Sequence, residues 1–525
     1  MYSGLGLERK KVTLKTDYEL WDKEYLHEKE VLLKNAGRII RKIEHVGSTS
    51  LHIKSKPILD IAVMIESKED FEILRNLIEK LGYTYRENSG DDERRFFAKG
   101  PEEKRTHYLH VHFSDSPSWY KQIFFRNYMR SHEEDRKEYV KLKEKLCSSY
   151  PDDRAKYTDG KSEFIKNVLD KFDKTLDGFE ILSEKYSIPI EDIILISLNK
   201  NGVNAIGLTP RIRMRMALKT HPEEFFYFGL SNNNNSPFVL RDNVIYIEKN
   251  IEIGTINNLE NDDCASSYFR KQGKVITLNS NKRSTCHGCK FCPNNLELNS
   301  EDQNLDTYEK VEVHFRKILG GKDMPDIERL TICTGCFGSE EAALSHILLV
   351  NQVAKNFRFN GTLHYIGSEI QSYKAFDAIK KEVQSFMYTF TVECFSKRDV
   401  ILKKNKSSIT LEKYYEMLKK GKMYGFKTNI IYVLGIDNID IVEKNMQYFS
   451  GVMTEMPLIN IFQPHIDEHY KLLAESALEL EYYLKIRKKM EKIFKKLNKY
   501  PQSWECYRPL WYFKYGEYEL KCIRI

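Results

Sequence analysis

Three cysteines of this chain fall within seven residues, at Cys286, Cys289 and Cys292, in a C-x2-C-x2-C spacing. Three thiolates so spaced can bind three irons of a cubane [4Fe-4S] cluster and leave the fourth iron open for a small molecule. A ferredoxin-type run would add a cysteine at position 296, which is Leu296. A zinc knuckle would need a fourth ligand, which His287 is poorly placed to supply. The spacing therefore favours an open iron–sulfur cluster, with a zinc site as the alternative.

A second group of chemistry-bearing residues lies near the amino terminus, where Gly47 and Ser48 precede Lys56 and Asp60. A Gly-Ser turn can offer backbone N–H groups to a phosphate, and a carboxylate on the following strand can hold Mg²⁺. This is the pattern of a nucleotidyltransferase, and an ordinary turn before a strand is the alternative. Basic side chains nearby are candidate anion contacts, or else form a solvated face. They are Lys54, Lys56, Arg94, Arg95 and Arg105.

Length and composition limit what kind of protein can hold these residues. At ~100 to 200 residues per domain, 525 residues predict about three or four domains. The 83 Lys and Arg exceed the 76 Asp and Glu by +7, which predicts a mildly basic surface and excludes a polyelectrolyte or a disordered chain. The sequence shows no apolar run suited to a signal core or a membrane span. We therefore expect a cytoplasmic protein with no membrane partner, where clustered thiols more often bind metal than form disulfides.

The periodicity of apolar residues divides the chain into three regions. Residues 1–172 alternate strands and helices, with a buried strand at 58–65 and a helix capped by Ser67. Residues 173–272 are expected to be a connecting region of uncertain fold, with one helix at 180–198 and a basic stretch at 211–219.

In the third region, 273–525, β-rich runs alternate with amphipathic helical runs, which is typical of a parallel sheet. Six strands are predicted, at 274–278, 330–333, 363–366, 386–392, 429–434 and 458–462. The expected fold class is α/β, with a carboxy-terminal partial (β/α)6 barrel preceded by an α/β domain. The chemistry of such a barrel lies in loops after the carboxyl ends of its strands. A helical and aromatic extension is expected at the end of the third region, with a helix at 480–497 and an aromatic tail at 504–513.

The third region resembles the radical S-adenosylmethionine (radical SAM) enzymes over about residues 273–470. Their cysteine loop usually reads C-x3-C-x2-C with an aromatic residue before the last cysteine. Residues 289–293 are similar to its second half, and the first spacing is one residue shorter. Further matches follow the second, fourth and fifth strands: a glycine-rich segment ending in Glu, a polar residue and an adenine-binding segment. The resemblance assigns S-adenosylmethionine to Phe291, Gly335, Gly338, Ser339, Glu340, Glu393 and Gly435.

This resemblance implies that Cys286, Cys289 and Cys292 hold a [4Fe-4S] cluster that cleaves S-adenosylmethionine reductively. The products are methionine and a 5′-deoxyadenosyl radical, which takes a hydrogen atom from a substrate. Such an enzyme needs an external one-electron reductant such as flavodoxin or ferredoxin. The substrate class is a small molecule or a nucleotide-like compound that the sequence does not identify, and a nucleic-acid substrate stays open.

Residues 15–170 resemble the GrpB-like family, which is related to the nucleotidyltransferase fold. The match rests on segments 47–50, 56–61, 110–112, 125–132 and 156–165. A catalytic nucleotidyltransferase has a second carboxylate two residues after the first, but here that position is Ala62. The resemblance therefore implies a domain that binds a nucleotide-like or phosphorylated group. The candidate contacts are Gly47, Ser48, Lys56, Asp60, His110 and His112.

Two alternatives stay open beside a radical SAM enzyme with a nucleotide-binding domain. One is a zinc-containing protein that binds nucleotide or nucleic acid. The other is a bifunctional enzyme that joins radical SAM chemistry to an active nucleotidyltransferase.

Overall fold

The computed structural model describes residues 4–8, 10–114, 116–248, 250–261, 267–279, 288–292, 304–333 and 337–520. The chain forms two compact units, Met1–Ile181 and Leu182–Ile525. Within the described ranges, every helix is too short or too polar to cross a bilayer.

The first unit is a mixed α/β domain built on one five-stranded sheet. Its strands are β1 (Leu7–Glu8), β2 (Lys42–Val46), β3 (Leu59–Ile65), β4 (Tyr83–Tyr85), β5 (Arg94–Lys99), β6 (Lys104–Arg105) and β7 (His107–Phe113). Its helices are α1 (Tyr18–Ala36), α2 (Lys68–Glu79), α3 (Pro117–Ser131), α4 (Glu133–Ser149), α5 (Arg154–Asp159) and α6 (Ser162–Leu169), with 3₁₀ turns at Ser48–Leu51 and Glu87–Ser89. The strand order is β2-β3-β7-β5-β4, in which β3 and β7 are parallel and the other pairs antiparallel. Strands β1 and β6 form a separate pair.

The predicted strand and capped helix in this unit are confirmed. Oγ of Ser67 accepts a hydrogen bond from the backbone N–H of Asp70 at 3.2 Å, and the carboxylate of Asp70 accepts one from the backbone N–H of Ser67. The two bonds close a capping box at the start of α2. Side chains of β3 and β7 alternate between the two faces of the sheet. One face carries Ile61, Val63 and Ile65 into the core under α1 and α2. The other carries Asp60 toward α3 to α6, and this alternation positions the site.

Helix α7 (Leu176–Tyr186) contains the boundary between the units, and α8 (Ile190–Asn201) follows it. The prediction of one helix over 180–198 is therefore wrong. Ser187 adopts a left-handed conformation with φ of 50°, and Pro189 is the N-cap of α8, so the chain turns between two helices.

The region expected to be a connection holds a five-stranded antiparallel sheet. Its strands are β8 (Arg211–Leu218), β9 (His221–Ser231), β10 (Phe238–Arg241), β11 (Val244–Ile247) and β12 (Ile251–Asn261), in the order β10-β11-β12-β8-β9. The signal was present in the sequence, because Arg211, Arg213 and Arg215 alternate with apolar residues at the period of a strand.

The carboxy-terminal region contains a half-barrel sheet of seven strands. They are β13 (Tyr268–Arg270), β14 (Val275–Leu278), β15 (Arg329–Ile332), β16 (Thr362–Gly367), β17 (Phe386–Glu393), β18 (Lys427–Leu434) and β19 (Leu458–Ile461). Strands β14 to β19 are parallel and adjacent in chain order, which confirms the six predicted strands, and β13 adds an antiparallel edge.

The helices of this region are α9 (Tyr308–Ile318), α10 (Glu340–Asn356), α11 (Tyr373–Glu382), α12 (Arg398–Ile401), α13 (Lys404–Ser407), α14 (Leu411–Met423), α15 (Ile439–Ser450), α16 (Asp467–Tyr470) and α17 (Leu480–Phe494). Two 3₁₀ turns, Glu475–Leu478 and Lys495–Leu497, and a hairpin of β20 (Lys514–Tyr515) and β21 (Tyr518–Glu519) complete the unit.

A buried carboxylate fastens the aromatic tail to this unit. Asp192 accepts hydrogen bonds from the backbone N–H groups of Tyr512 and Phe513, both at 2.9 Å, and pairs with Arg487 at 2.8 Å. Both charged side chains are at most 1 % exposed. A buried ion pair of this kind needs full hydrogen bonding, and the tail supplies it.

Candidate functional site

A cavity of about 570 Å³ opens on the first unit, on the face of the sheet that carries Asp60. We call it the cationic pocket. Strands β3, β5 and β7 form its floor, and helices α3 to α6 contribute its walls. Its charged and polar lining residues are Ser48, Thr49, Lys56, Asp60, Arg94, Tyr108, His110, Lys121, Gln122, Tyr139, Lys143, Arg154, Tyr157, Thr158 and Lys161.

Asp60 and His110 lie side by side on the floor. Nε2 of His110 is 3.4 Å from Oδ1 of Asp60, and the Asp60 side chain is 30 % exposed. Burial opposes the negative charge, but the hydrogen bond and charge interaction with His110, and the charges of Lys56 and Lys161, outweigh it and lower the pKa of Asp60. Asp60 is therefore ionised at neutral pH.

Three lysines crowd the same cavity and repel one another. Burial, and then the charges of Lys161 and Arg154, lower the pKa of Lys56 to about 7. Burial lowers the pKa of Lys161 also, and burial with the charges of Lys161 and Lys56 lowers that of Lys143. Nζ of Lys143 donates to the backbone carbonyl of Lys54 and to Oγ of Ser55. Asp60 is the one carboxylate among the lining residues, so the pocket carries an excess of cationic groups.

The ring of Tyr157 lies close to two of these ammonium groups. Its centre is 5.2 Å from Nζ of Lys56 and 4.8 Å from Nζ of Lys161, within the range of a cation–π contact. Its hydroxyl is buried and has no hydrogen-bond partner in the described chain. Nε of Arg94 is likewise buried without a partner there. Buried polar groups are rarely left unpaired, so these two atoms indicate a missing ligand or water.

Most of the predicted contacts meet in the cationic pocket, but some lie elsewhere. Gly47, Ser48, Lys56, Asp60 and His110 line it, as does Arg94. His112 does not. It lies beside Ser118 and Gln122, with its two ring nitrogens at hydrogen-bond distances of 2.8 and 3.0 Å, and burial lowers its pKa to about 3.

The other three candidate anion contacts also lie outside the lining. Lys54 pairs with Glu144 at 2.5 Å, and both side chains are exposed. Arg95 donates to the carbonyl of Asp91, and Arg105 to that of Gly100. Sequence reasoning did not assign Lys143, Arg154, Tyr157 or Lys161 to the site, although segment 156–165 is part of the GrpB resemblance.

Gly47 is required by the close approach of Asp60. Its φ is +68°, and a Cβ placed on it would lie 2.5 Å from Oδ2 of Asp60. We expect Gly47→Ala to destabilise the protein and to weaken binding in the pocket. Gly82→Ala is the matched control, because Gly82 has φ of +85° but its nearest neighbour would lie 4.0 Å from the new Cβ. Alanine is strained at both positions because φ is positive at both, and at Gly47, where ψ is −171°, the clash with Asp60 adds to that strain.

Thermal unfolding of the two full-length variants measures this difference. The first should unfold at a lower temperature than the second, since only it must displace the Asp60 carboxylate. Equal loss of stability would show that the packing of Gly47 on Asp60 is unimportant.

In the second unit, Cys289 and Cys292 lie on one tight turn, in which the N–H of Cys292 donates to the carbonyl of Cys289 at 3.0 Å. The N–H of Lys290 donates to the carbonyl of Ile401 at 2.8 Å, which anchors the turn. Cys289 packs in an apolar cluster with Cys394, Ile401, Leu402, Val433, Ile436 and Phe462, and Phe291 and Cys292 border it. Several of these residues follow β17, β18 and β19, so the turn lies at the carboxyl end of the sheet.

Cys286 lies outside the described residues. Over the part of the chain that is described, no three His, Cys, Asp or Glu side chains form a group that could hold a metal ion. Cys394 is a poor metal ligand, because burial and the charge of Asp437 raise the pKa of its thiol to about 12.

Among the described residues assigned to S-adenosylmethionine, Glu393 is the last residue of β17 and Glu340 is the first residue of α10, and both already have partners. Oε1 of Glu340 accepts from the N–H groups of Gln371 and Ser372. Oε1 of Glu393 accepts from Nζ of Lys406 at 2.8 Å, and both side chains are nearly buried. A cofactor would have to share or replace these contacts.

The remaining assigned residues differ in their surroundings. Ser339 is the N-cap of α10, where it accepts from the N–H of Ala342 at 3.2 Å, and a Cβ on Gly338 would meet open space. Gly435 has φ of +124° and lies against Leu473 and Tyr483. Gly335 falls outside the described residues.

A residue without an assigned role braces this end of the sheet. Asp437 is buried and accepts from the N–H groups of Phe395 and Ser396, both at 2.8 Å, and from Oη of Tyr432 at 2.8 Å. It therefore joins the loops after β17 and β18, which bear Cys394 and Gly435.

Comparison with known proteins gives matches to the first unit. A family model described as GrpB protein matches residues 11–171. UPF0157 protein YqkA of Bacillus subtilis (strain 168) is 35 % identical over 161 residues, which are 30 % of this chain and 47 % of that protein. The chain thus spans about half the length of that relative. Glutamate-rich protein GrpB of Alkalihalophilus pseudofirmus is 33 % identical over 172 residues, covering 32 % of this chain and 99 % of that one.

A crystal structure of conserved protein GrpB from Enterococcus faecalis is 32 % identical in sequence. The likeness covers 30 % of this chain and 94 % of that chain, with a TM-score of 0.28.

Proposed function

Because the chain belongs to the GrpB family through residues 11–171, we propose that this domain binds a phosphorylated or nucleotide-like group in the cationic pocket. One observation carries the proposal. Lys56, Arg154 and Lys161 converge on one cavity, where burial is the largest cause of the lowered pKa of each lysine and where Asp60 alone leaves the lining short of compensating negative charge. A phosphate dianion supplies that charge and accepts the hydrogen bonds that the cationic groups offer.

Binding without nucleotidyl transfer is the form of the proposal that the residues favour. Two-metal transfer needs a pair of carboxylates, and Ala62, two residues after Asp60, is a buried methyl group. Mg²⁺ brought in with a phosphate would have Asp60 as its carboxylate ligand. The bifunctional alternative predicts that Asp60→Ala abolishes a nucleotide-transfer activity, and absence of such activity with every nucleotide counts against it.

The pH dependence of binding tests the role of the lysines. The probe is methyl phosphate, a monoester without a base, whose second pKa is about 6. Above pH 7 the probe is a dianion and Asp60 is ionised, so a change in affinity with pH reports the protonation of the lysines. The bound dianion favours charged Lys56, whose pKa in the free protein is about 7. Binding therefore takes up a proton above pH 7, and affinity should fall by a factor approaching tenfold per pH unit up to pH 9.

Lys56→Arg is the control for this slope. A guanidinium keeps its charge throughout the range, so the affinity of the variant should fall less steeply with pH. The number of protons taken up on binding should be smaller by up to one. Calorimetric titrations at pH 7, 8 and 9 give the two slopes. The same slope in both proteins would show that Lys56 does not contact the phosphate.

For the second unit we propose radical SAM chemistry at the carboxyl end of the parallel sheet. The support is the position of the Cys289–Cys292 turn, where two soft thiol ligands border an apolar shell. This donor set fits a [4Fe-4S] cluster, with Cys286 as the third ligand. Cys286, Cys289 and Cys292 would hold the cluster, which when reduced by an external donor would supply the electron for cleavage of S-adenosylmethionine into methionine and a 5′-deoxyadenosyl radical.

The surrounding residues would shield and position the reacting groups. Phe462, Leu402 and Ile436 shield Cys289 from water, and a reactive intermediate requires such shielding. Asp437 fixes the loops after β17 and β18. We propose a reducing cytoplasm as the compartment and flavodoxin or ferredoxin as the electron donor, because the thiols must stay reduced. Zinc at the same cysteines is the alternative that metal analysis separates.

A further inference from the structure

A second cavity, of about 120 Å³, lies wholly within the second unit, between the β8–β9 pair, β13 and the tail at 503–507. We call it the aromatic cavity. Six of its eleven lining residues are aromatic, and none of the eleven carries a carboxylate. The six are Phe226, Tyr227, Tyr268, Phe269, Trp504 and Tyr507. The other lining groups include three cations, so the cavity combines flat apolar walls with positive charge.

This cavity is separate from the cysteine turn. The guanidinium of Arg329, the first residue of β15, lies 4.5 Å from the ring centre of Trp504. Trp504 therefore lies at the amino end of the parallel sheet, whereas Cys289 packs beside residues at its carboxyl end. A ligand here would be distinct from one bound at the cysteine turn.

One arginine braces the wall of the cavity, and its hydrogen bonds are made within the protein. Arg270 donates to the carbonyls of Trp504 and Glu505 at 2.7 and 2.6 Å. Its guanidinium lies 4.9 and 4.6 Å from the ring centres of Tyr268 and Tyr507. Arg270 thus holds the two rings and the tail in place.

Two other polar groups of the lining have no such partners. Nε of Arg215 and Oγ of Ser503 are buried and make no hydrogen bond within the described part of the chain. The guanidinium of Arg215 lies 5.2 Å from the ring centre of Phe225, and Ser503 is 7 % exposed. An unpaired buried donor is unfavourable, because it has lost its hydrogen bonds to water without gaining others. Two of them in one small cavity indicate that a ligand with hydrogen-bond acceptors completes the site.

We propose that the aromatic cavity binds a single nucleobase, stacked on the aromatic walls with acceptor atoms facing Arg215 and Ser503. The volume equals that of about four waters, which suits one planar ring system and leaves a sugar and phosphate outside. A base offers both a π-face and ring or carbonyl acceptors. The side chain of a phenylalanine or leucine would fill the space but leave both donors unpaired.

Nucleosides test this proposal because they lack the phosphate that the cationic pocket requires. Adenosine, guanosine, cytidine and uridine are titrated into the full-length protein, with calorimetry and tryptophan fluorescence as readouts. At least one should bind at one site per chain and quench the fluorescence of Trp504. Trp504→Phe should remove that quenching while calorimetry still detects binding.

Two variants probe the stack and the hydrogen bond. Phe269 is 43 % exposed, so Phe269→Ala removes a wall with little effect on folding and should weaken binding about 10- to 100-fold. Arg215→Gln should weaken it about tenfold. Tyr448→Ala and Arg241→Gln are the matched controls, since both residues are exposed and lie outside the cavity, and they should bind as the unmodified protein does.

The base could belong to a free nucleotide or to the end of a strand. Titrations of a mononucleotide and a dinucleotide into the Lys161→Glu variant, whose cationic pocket we expect to have lost its affinity for phosphate, separate these two sources. Absence of nucleoside binding at millimolar concentration would overturn the proposal. So would affinities that neither variant changes, or equal binding of a phenylalanine-containing peptide that lacks a base.

Discussion

Lys161→Glu should reduce the affinity of the protein for methyl phosphate by at least about 100-fold. Lys161 is half-buried in the cationic pocket, 4.8 Å from the ring centre of Tyr157, and its charge acts on Asp60, Lys56 and Lys143. A charge-assisted hydrogen bond to a phosphate contributes about 1.5–3 kcal/mol, or roughly 10- to 150-fold in affinity. The substitution removes that bond and adds a carboxylate that repels the anion.

Lys166→Glu is the matched control. Lys166 is on α6, five residues along the chain, and is exposed outside the pocket. The variant changes the net charge by the same amount, so any effect of long-range charge alone is equal in both proteins. Equal loss of affinity in the two variants would show that general positive charge, and not the pocket, attracts the phosphate.

Cys292→Ser should remove the iron from the second unit. We expect the unmodified protein, purified without oxygen, to be brown, with about four irons per chain. The unmodified protein should also form 5′-deoxyadenosine from S-adenosylmethionine after chemical reduction. Cys292 supplies one of the two thiols on the described turn, and a serine hydroxyl is a poor substitute for a thiolate. The variant should retain less than about a tenth of the iron and of the product.

Cys147→Ser is the control for the cysteine change. Cys147 lies in the first unit, where its thiol donates to the carbonyl of Val12 at 3.4 Å. The iron content of the Cys147→Ser variant should equal that of the unmodified protein. A colourless protein with one zinc per chain would contradict the radical SAM proposal and support the zinc alternative. Iron that survives Cys292→Ser unchanged would place the cluster elsewhere.

The sheet of the second unit could be predicted because its strands are short apolar runs separated by amphipathic helices. Such a pattern fixes strand order when each strand follows its neighbour through a helix, as β14 to β19 do. The antiparallel sheet before it could have been found from the alternation of Arg211, Arg213 and Arg215 with apolar residues. The positive charge of these three residues predicts a basic stretch as readily as a strand.

The floor of the cationic pocket could also be predicted, but its walls could not. Gly47 directly follows β2, and Asp60 lies on the adjacent strand β3, in a recognisable motif, so their meeting follows from local sequence. Lys143 lies on α4 and Arg154 on α5, and Lys161 is the N-cap residue just before α6. Their convergence depends on how those helices pack on the sheet, which no spacing in the sequence encodes. His110 and His112 are two residues apart on β7, so the alternation of the strand predicts the same face for both. It does not show that His110 lines the pocket while His112 contacts Gln122.

The most direct test of the cationic pocket is a calorimetric titration of the full-length protein with methyl phosphate at pH 8, in two buffers of different ionisation enthalpy. We expect one site per chain and net uptake of protons on binding, because the anion restores the charge of Lys56, whose pKa is about 7 in the free protein. Absence of saturable binding, or binding that takes up no proton, would contradict the assignment of this pocket to a phosphorylated ligand.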